Sequence, residues 1–214
     1  MGIYNSYILP CVIDWACSQP IGMKQREKVI PMAAGRVLEV GIGSGKNLPF
    51  YDGHMVEHLT AIDPMERLWI RKQVDLPSLD FHVAYIKGSA DRIPFDDETF
   101  DTVVSTSTLC SIKHVEEALR EIHRVLKSGG KLLFAEHGTA PDQLLARWQN
   151  LLNPIWKRIG GGCNLNRDIP TLLMSAGFSQ EGLNEGYQDG WRPTSYHYWG
   201  WAEKINPGAK VRNR

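Results

Sequence analysis

The chain has 214 residues, of which 43% are hydrophobic and 22% are charged. This length and composition suit one globular α/β domain with a sizeable core, and they do not favour a second domain. The 24 Lys and Arg residues balance the 24 Asp and Glu residues, so the chain lacks the basic excess that draws proteins to nucleic acid. We therefore expect a small-molecule partner and no nucleic acid.

Four cysteines are spread through the chain, at Cys11, Cys17, Cys110 and Cys163. Their number and uneven spacing predict neither a disulfide framework nor a zinc signature. No run is long and apolar enough to predict a membrane-spanning helix, and the first residues lack the pattern of a secretory signal. We therefore expect a cytoplasmic protein, either a monomer or a homodimer.

Residues 1–34 are predicted to form an amino-terminal helical lid. Within this segment the stretch 7–16 is apolar but has no basic face, which favours packing over the mouth of a site above peripheral contact with a membrane. Met1, Gly2 and Ser6 also fit the short pattern for N-myristoylation, a eukaryotic modification. The main domain is assigned to 35–204, and 205–214 is predicted to be a flexible tail.

From residue 36 onward, β-rich apolar segments alternate with helical ones, as a parallel sheet with crossover helices requires. The first five strands are predicted at 36–40, 58–63, 82–88, 100–106 and 131–136. A helix is predicted from Lys113 to Lys127 because its apolar residues recur every three or four positions. The segment Ser128-Gly129-Gly130 is expected to end that helix, since glycine tolerates positive φ.

A second helix is predicted to begin near Asn166 or Asp168 and to end at Gly177. Arg167 and Asp168 are expected to cap it; alternatively, Asn166 or Arg167 closes over a ligand. Two late strands are predicted at 181–188 and 197–204, and they should be antiparallel because a turn-rich segment joins them without a helix. The expected fold is a doubly wound, Rossmann-like, seven-stranded α/β sheet with an antiparallel carboxyl-terminal hairpin.

A glycine-rich turn follows the first predicted strand, at residues 39–47 with the sequence EVGIGSGKN. Glycines at such a turn permit a sharp reversal and let a ligand approach the backbone closely. A phosphate-binding P-loop needs four residues between its first glycine and Gly-Lys, followed by Ser or Thr. Here three residues separate Gly41 from Gly45-Lys46, and Asn47 follows. A dinucleotide loop would need one more residue before its last glycine, so neither phosphate site fits.

Two later features favour S-adenosylmethionine, a ligand without phosphate. Asp63 ends the second predicted strand, about twenty residues after the glycine turn, where a carboxylate can accept both ribose hydroxyls. The alternative for Asp63 is a turn-forming role before Pro64. The segment 88–91 follows the third predicted strand, where an adenine is expected. An NAD-dependent enzyme is the rival interpretation.

This pattern resembles the type 11 methyltransferase domain, a class I S-adenosylmethionine-dependent family that includes quinone-biosynthesis methylases. The resemblance implies a methyltransferase domain at 35–204, S-adenosyl-L-methionine as cofactor and S-adenosyl-L-homocysteine as product. It implies that the following residues contact the cofactor: Glu39, Gly41, Gly43, Asn47, Asp63, Pro64, Met65, Ser89, Ala90, Asp91 and Thr106. Many relatives carry Asp where this chain has Ser89.

A narrower resemblance involves the segments 109–112, 135–137, 153–156, 162–168 and 197–202. They are similar to the alkyl-thiol S-methyltransferase group of methyltransferase-like proteins. This resemblance implies S-methylation of a small, apolar thiol. The alternatives are O- or C-methylation of a phenolic, quinone-like or lipid acceptor, and a protein that binds S-adenosylmethionine without catalysis.

Candidate catalytic residues follow the fourth and fifth predicted strands, whose carboxyl ends should border the site. His137 is the first candidate for a general base because an imidazole titrates near neutral pH. Cys110 and Glu136 are further candidates. Cys110 and Cys163 are interpreted mainly as small buried residues; the alternative is that they bind a soft metal or metalloid together with His137. No metal is predicted, since the cysteine spacing of metalloid methylases is absent.

Overall fold

A computed structural model of the chain describes residues 9–72 and 79–205. The strands within these residues are β1 (Gly35–Val40), β2 (Val56–Asp63), β3 (His82–Lys87), β4 (Phe100–Thr106), β5 (Leu126–His137), β6 (Gly182–Tyr187) and β7 (Tyr196–Glu203). The helices are α1 (Leu9–Cys17), α2 (Pro20–Val29), α3 (Glu66–Lys72), α4 (Val115–Val125), α5 (Gln143–Ile159) and α6 (Ile169–Ser175). The myristoylation pattern and residues 206–214 of the predicted tail lie outside the described residues.

The seven strands form one mixed sheet in the order β3-β2-β1-β4-β5-β7-β6. The first five strands are parallel, whereas β7 runs antiparallel to both β5 and β6. The chain starts at β1 and winds to one edge, then returns beside β1 and winds to the other edge. The predicted α/β fold with its antiparallel hairpin is therefore confirmed. The strand order reverses between β1 and β4, where α/β proteins place their ligands.

Alternating residues of the central strands point into two separate cores, as the period-two geometry of a strand requires. Leu38 of β1 belongs to the core that α4 covers, whereas its neighbour Val37 belongs to the core on the opposite face. The apolar residues predicted on the inner side of the α4 segment are all buried: Val115, Ala118, Leu119, Ile122, Val125 and Leu126. The helical spacing of α4 thus fixes which of its faces meets the sheet.

The junction between α4 and β5 differs from the prediction. The helix ends at Val125, and β5 begins at Leu126 although the strand was predicted from Lys131. Phe100 pairs with Leu126 but Thr102 pairs with Lys131, so five steps along β5 oppose two along β4. Gly129, with φ of 72°, lets this segment bulge, and the expected helix stop therefore lies inside the strand.

Helix α5 was not predicted, and its pattern explains why. Pro154 lies inside it, and proline usually argues against a helix interior. Only Leu145 and Gln149 are buried. Its exposed apolar side chains recur with helical spacing on the outer face: Leu144, Trp148, Leu151, Ile155 and Ile159. None of the helices in the described part of the chain is long and apolar enough to cross a membrane.

The second predicted helix is shorter than expected, and its two proposed caps behave differently. Asp168 caps α6 by accepting the backbone N–H of Thr171 at 3.1 Å. Arg167 does not cap the helix. Its guanidinium donates to the carbonyl oxygens of Leu109 and Ile112, and it thereby ties the start of α6 to the loop after β4.

We predict that Gly200→Ala destabilises the carboxyl-terminal hairpin. Gly200 has φ of 133°, and an added Cβ would lie 2.0 Å from the carbonyl oxygen of Gly182. The strain should lower the free energy of unfolding by about 2 to 3 kcal/mol in urea denaturation. The control is Gly186→Ala on β6, where the nearest atom to an added Cβ is 3.7 Å away. Equal stabilities for the two variants would contradict the prediction.

Candidate active site

A cavity of about 380 Å³ opens at the carboxyl ends of β1, β2 and β4. Its volume falls in the range of about 300 to 1,000 Å³ that is usual for small-molecule sites. All residues expected from the sequence to contact a cofactor line this cavity: Glu39, Gly41, Gly43, Asn47, Asp63, Pro64, Met65, Ser89, Ala90, Asp91 and Thr106. The fold thus brings them together from four separate segments. Their individual contacts with a ligand stay predictions.

The glycine turn after β1 uses two of its glycines for different purposes. Gly41 has φ of 77°, and an added Cβ would lie 2.3 Å from Oγ1 of Thr108. This glycine is therefore required for packing against the loop after β4. Gly43 has φ of 54°, and an added Cβ would meet no atom within 4 Å. Since Gly43 lines the cavity, its bare backbone leaves room for a ligand.

Asp63 connects the glycine turn with the turn after β2. Its Oδ2 accepts the backbone N–H of Gly43 at 2.9 Å, and its Oδ1 accepts that of Met65 at 2.6 Å. Burial raises the pKa of Asp63, although these two N–H donors oppose the rise. The turn-forming role of Asp63 before Pro64 is thereby observed, and the same carboxylate also faces the cavity. The two interpretations from the sequence are compatible.

A buried polar network surrounds Glu39. Its carboxylate accepts hydrogen bonds from Nδ2 of Asn47 at 2.9 Å and from the hydroxyl of Tyr51 at 2.8 Å. Oδ1 of Asn47 in turn accepts from Nε of Arg26 at 2.9 Å and from Oγ1 of Thr106 at 3.1 Å. Burial raises the pKa of Glu39 to about 7. The sequence did not reveal Arg26 and Tyr51, because no local motif marks such distant partners.

Helix α1 lies over the glycine turn. Asp14 forms a salt bridge with Nζ of Lys46 at 3.2 Å and accepts a hydrogen bond from the hydroxyl of Ser44. Ile13 and Cys17 line the cavity together with Asp14. This placement agrees with the predicted packing over the mouth of the site.

Glu136 is fully buried and does not reach the cavity within the described residues. Its Oε1 accepts the backbone N–H groups of Thr108 at 2.8 Å and Leu109 at 2.9 Å, and its Oε2 accepts that of Cys110 at 3.3 Å. Burial raises its pKa to about 8, while the backbone donors oppose the rise. Glu136 therefore holds the loop after β4 in place, and its catalytic role stays a prediction.

Cys110 and His137, the other two catalytic candidates, lie close to Cys163 and next to the Glu136 carboxylate. Nε2 of His137 lies 3.0 Å from Sγ of Cys163, and the potential metal-ligating atoms of Cys110, His137 and Cys163 all lie within 4.8 Å of one another. None of these three side chains is among the residues that line the cavity. Sγ of Cys110 is 3.4 Å from the hydroxyl of Ser111, which does line it. The cluster thus lies directly behind the cavity wall.

The chain matches the family model of a methyltransferase domain over residues 38–134. It is 33% identical over 188 residues to the thiol S-methyltransferase TMT1B of Homo sapiens, and the match covers 83% of this chain and 76% of that protein. It is also 33% identical over 166 residues to the TMT1B protein of Rattus norvegicus, covering 76% of this chain but 65% of the rat protein. The chain therefore belongs to the methyltransferase family that includes these two proteins.

The fold of this methyltransferase is shared with solved structures of low sequence identity. The N-methyltransferase NodS from Bradyrhizobium japonicum WM9, solved in complex with S-adenosyl-L-homocysteine, is 14% identical. The similarity covers 94% of this chain and 98% of NodS, with a TM-score of 0.67.

S-adenosylmethionine is the cofactor of this methyltransferase, and the cavity fits it. The open space at Gly43 suits close approach of a ligand to the backbone. The Asp63 carboxylate offers acceptors for hydroxyl groups, and Glu39 and Asn47 give one wall a polar character. The site therefore has the features expected for a phosphate-free nucleoside with an amino-acid arm.

Asp63→Asn is expected to weaken binding of S-adenosylhomocysteine. The variant loses the charge that holds the two turns and that would bind the sugar, so the dissociation constant should rise about 10- to 100-fold. Isothermal titration calorimetry measures it. The control is Glu66→Gln, because the side chain of Glu66 is 43% exposed, pairs with Lys87 at 3.2 Å and is not among the cavity-lining residues. Unchanged affinity in Asp63→Asn would contradict the assignment.

Glu39→Gln is expected to change how stability depends on pH. Because burial raises the pKa of Glu39 from 4.5 to about 7, the folded protein retains a proton that the unfolded chain has already released between these pH values. The free energy of unfolding of the wild type should therefore fall, relative to the variant, by about 2 kcal/mol between pH 5 and 7. Urea unfolding at both pH values measures this difference. Parallel pH dependences would refute the expectation.

Proposed function

We propose that this methyltransferase transfers the methyl group of S-adenosylmethionine to the sulfur of a small thiol. The observation that carries the proposal is the 33% identity to the human thiol S-methyltransferase TMT1B over 83% of this chain. Because the match covers 83% of this chain, it must extend on the carboxyl-terminal side of the family model, which ends at residue 134, and it includes Gly161, which lines the cavity.

The cofactor, when bound, supplies a methyl group on a positively charged sulfur. We assign its amino-acid end to the wall formed by Glu39, Asn47 and Thr106, because this wall is polar and internally hydrogen-bonded. We assign its ribose to Asp63. The adenine edge would face the segment 89–91, which lines the cavity after β3.

The acceptor would enter beside the segment 111–112 and Gly161, beneath α1. Ile13 and Ile112 supply apolar surface to this part of the cavity, which suits a small apolar molecule. Covering by α1 would also exclude water from the reacting atoms. We therefore keep residues 1–34 as a lid segment in this proposal.

A thiol must lose its proton to become an effective nucleophile, since its ordinary pKa is about 8.5. His137, the base predicted from the sequence, is not among the residues that line the cavity. Its Nε2 contacts Cys163, so His137 would act on the acceptor only as part of the cluster that it forms with the two cysteines.

We further propose that the protein works in the cytoplasm. Cys17, Cys110 and Cys163 are free thiols, which is the usual state of cysteine in a reducing compartment.

The proposal is tested with a panel of acceptors: small alkyl thiols, phenols and quinols of similar size. Each is incubated with the protein and S-adenosylmethionine, and methylated products are identified by mass spectrometry. We expect a methyl thioether and S-adenosylhomocysteine in equal amounts, at a rate at least tenfold above any phenol or quinol. The Asp63→Asn variant should slow this reaction at limiting cofactor.

Two outcomes would overturn the proposal. Methylation of oxygen or carbon acceptors alone would assign the enzyme to the other acceptor class. Tight binding of S-adenosylhomocysteine without any methylated product would indicate a binding protein.

A further inference from the structure

Cys110, His137 and Cys163 have the composition and spacing of a metal site. Their ligand atoms lie within 4.8 Å of one another, and Nε2 of His137 is 3.0 Å from Sγ of Cys163. Zinc binds sulfur at about 2.3 Å and imidazole nitrogen at about 2.0–2.1 Å. In tetrahedral geometry these bond lengths separate the ligand atoms by roughly 3.5–3.8 Å. The three side chains would therefore have to move by only a fraction of an ångström to about one ångström.

Hydrogen bonds hold the segment of Cys110 in place and tie it to Asn164, the residue after Cys163. The backbone N–H and the Nδ2 of Asn164 both donate to the carbonyl oxygen of Cys110 at 2.9 Å. The N–H of Cys110 itself points to Glu136, and Arg167 donates to the neighbouring carbonyl oxygen of Leu109. A site that is fixed before its ion arrives loses little conformational freedom on binding.

One buried polar atom of the cluster, Nδ1 of His137, has no hydrogen-bond partner among the described residues. Unpartnered buried polar atoms are rare and costly, so a purely structural role does not account for this imidazole. Its other ring nitrogen, Nε2, faces Cys163 and is the atom placed to bind an ion.

We propose that Cys110, His137 and Cys163 bind one zinc ion whose fourth coordination position is open to the thiol acceptor. Sulfur and imidazole ligands select thiophilic ions of this kind, and three protein ligands with one open position are typical of catalytic zinc. Two thiolates also neutralise the charge of a divalent ion, which limits the cost of burying it. The sequence predicted no metal, because the cysteine spacing gives no metal signature, whereas the folded chain brings the three ligands together.

The catalytic part of this inference rests on the proposed function. The acceptor sulfur would coordinate the ion and release its proton to solvent, because metal coordination deprotonates a thiol. The thiolate would then attack the methyl carbon, forming a sulfur–carbon bond. The bond between that carbon and the sulfonium sulfur would break, and its electron pair would remain on the sulfur of S-adenosylhomocysteine. Ser111, 3.4 Å from Sγ of Cys110, is the side chain past which the acceptor would reach the ion.

The site itself is tested by metal binding in the full-length protein. After incubation with zinc and dialysis, we expect one zinc per chain by elemental analysis. Cys110→Ser and Cys163→Ser should each weaken zinc binding at least tenfold, whereas the exposed Cys11→Ser should bind as the wild type does. Thermal unfolding without metal checks that each variant folds. No retained zinc in the wild type, or equal retention in all variants, would overturn the site.

Coordination of the acceptor is tested separately, with cobalt in place of zinc and without S-adenosylmethionine. Cobalt bound by two cysteines should show thiolate charge-transfer absorption that is about halved, per bound cobalt, in Cys163→Ser. Addition of a small alkyl thiol should intensify and shift this absorption. A cobalt spectrum insensitive to thiol would overturn the open position. Neither readout needs turnover, so stoichiometric zinc without a methylated thiol would refute the proposed function and leave the site standing.

Discussion

A buried carboxylate at the end of β5 fixes the loop after β4, which contacts both the glycine turn and the cluster of Cys110, His137 and Cys163. Glu136 is fully buried, and its oxygens accept the backbone N–H groups of residues 108–110. Burying a carboxylate is costly unless such donors compensate it, so the loop after β4 curls around this side chain. The same loop brings Thr108 so close to Gly41 that a side chain there would collide, and it presents Cys110 to Cys163. One side chain thus couples the glycine turn to the cluster of Cys110, His137 and Cys163.

The amino-terminal helices are part of the site as well as its cover. Arg26 of α2 is 3% exposed, and its guanidinium donates to Asn47 at 2.9 Å and to the carbonyl oxygen of Cys17 at 2.8 Å. A buried guanidinium is tolerated only where its donors are occupied. Since Asn47 also donates to Glu39, displacement of α1 and α2 would expose the polar wall of the cofactor site. The order of that wall therefore depends on the position of these two helices.

The sequence predicted those features that depend on local pattern. The alternation of strands and helices predicted the parallel sheet, and the turn-rich segment between the two late strands predicted the antiparallel hairpin, because each pattern lies in consecutive residues. Helix α5 escaped detection because its apolar residues face outward and Pro154 interrupts it. The extension of β5 escaped because glycine at position 129 fits a helix stop and a strand bulge equally well. Arg26 lies far in sequence from its partner Asn47, so nothing local pointed to it.

The cluster of Cys110, His137 and Cys163 likewise could not be predicted from local pattern. Spacing rules recognise metal sites whose ligands lie on one short motif, whereas Cys110 follows β4, His137 ends β5 and Cys163 follows α5. Neighbouring parallel strands bring the first two together at one edge of the sheet, and Asn164 bonds the third segment to Cys110. The zinc ion proposed between these sulfur and nitrogen ligands would bind a soft thiolate in preference to a phenolate oxygen. A thiol also ionises more readily than a phenol. Preference for sulfur would then be set by this cluster behind the wall, and the shape of the cavity would govern only the size of the acceptor.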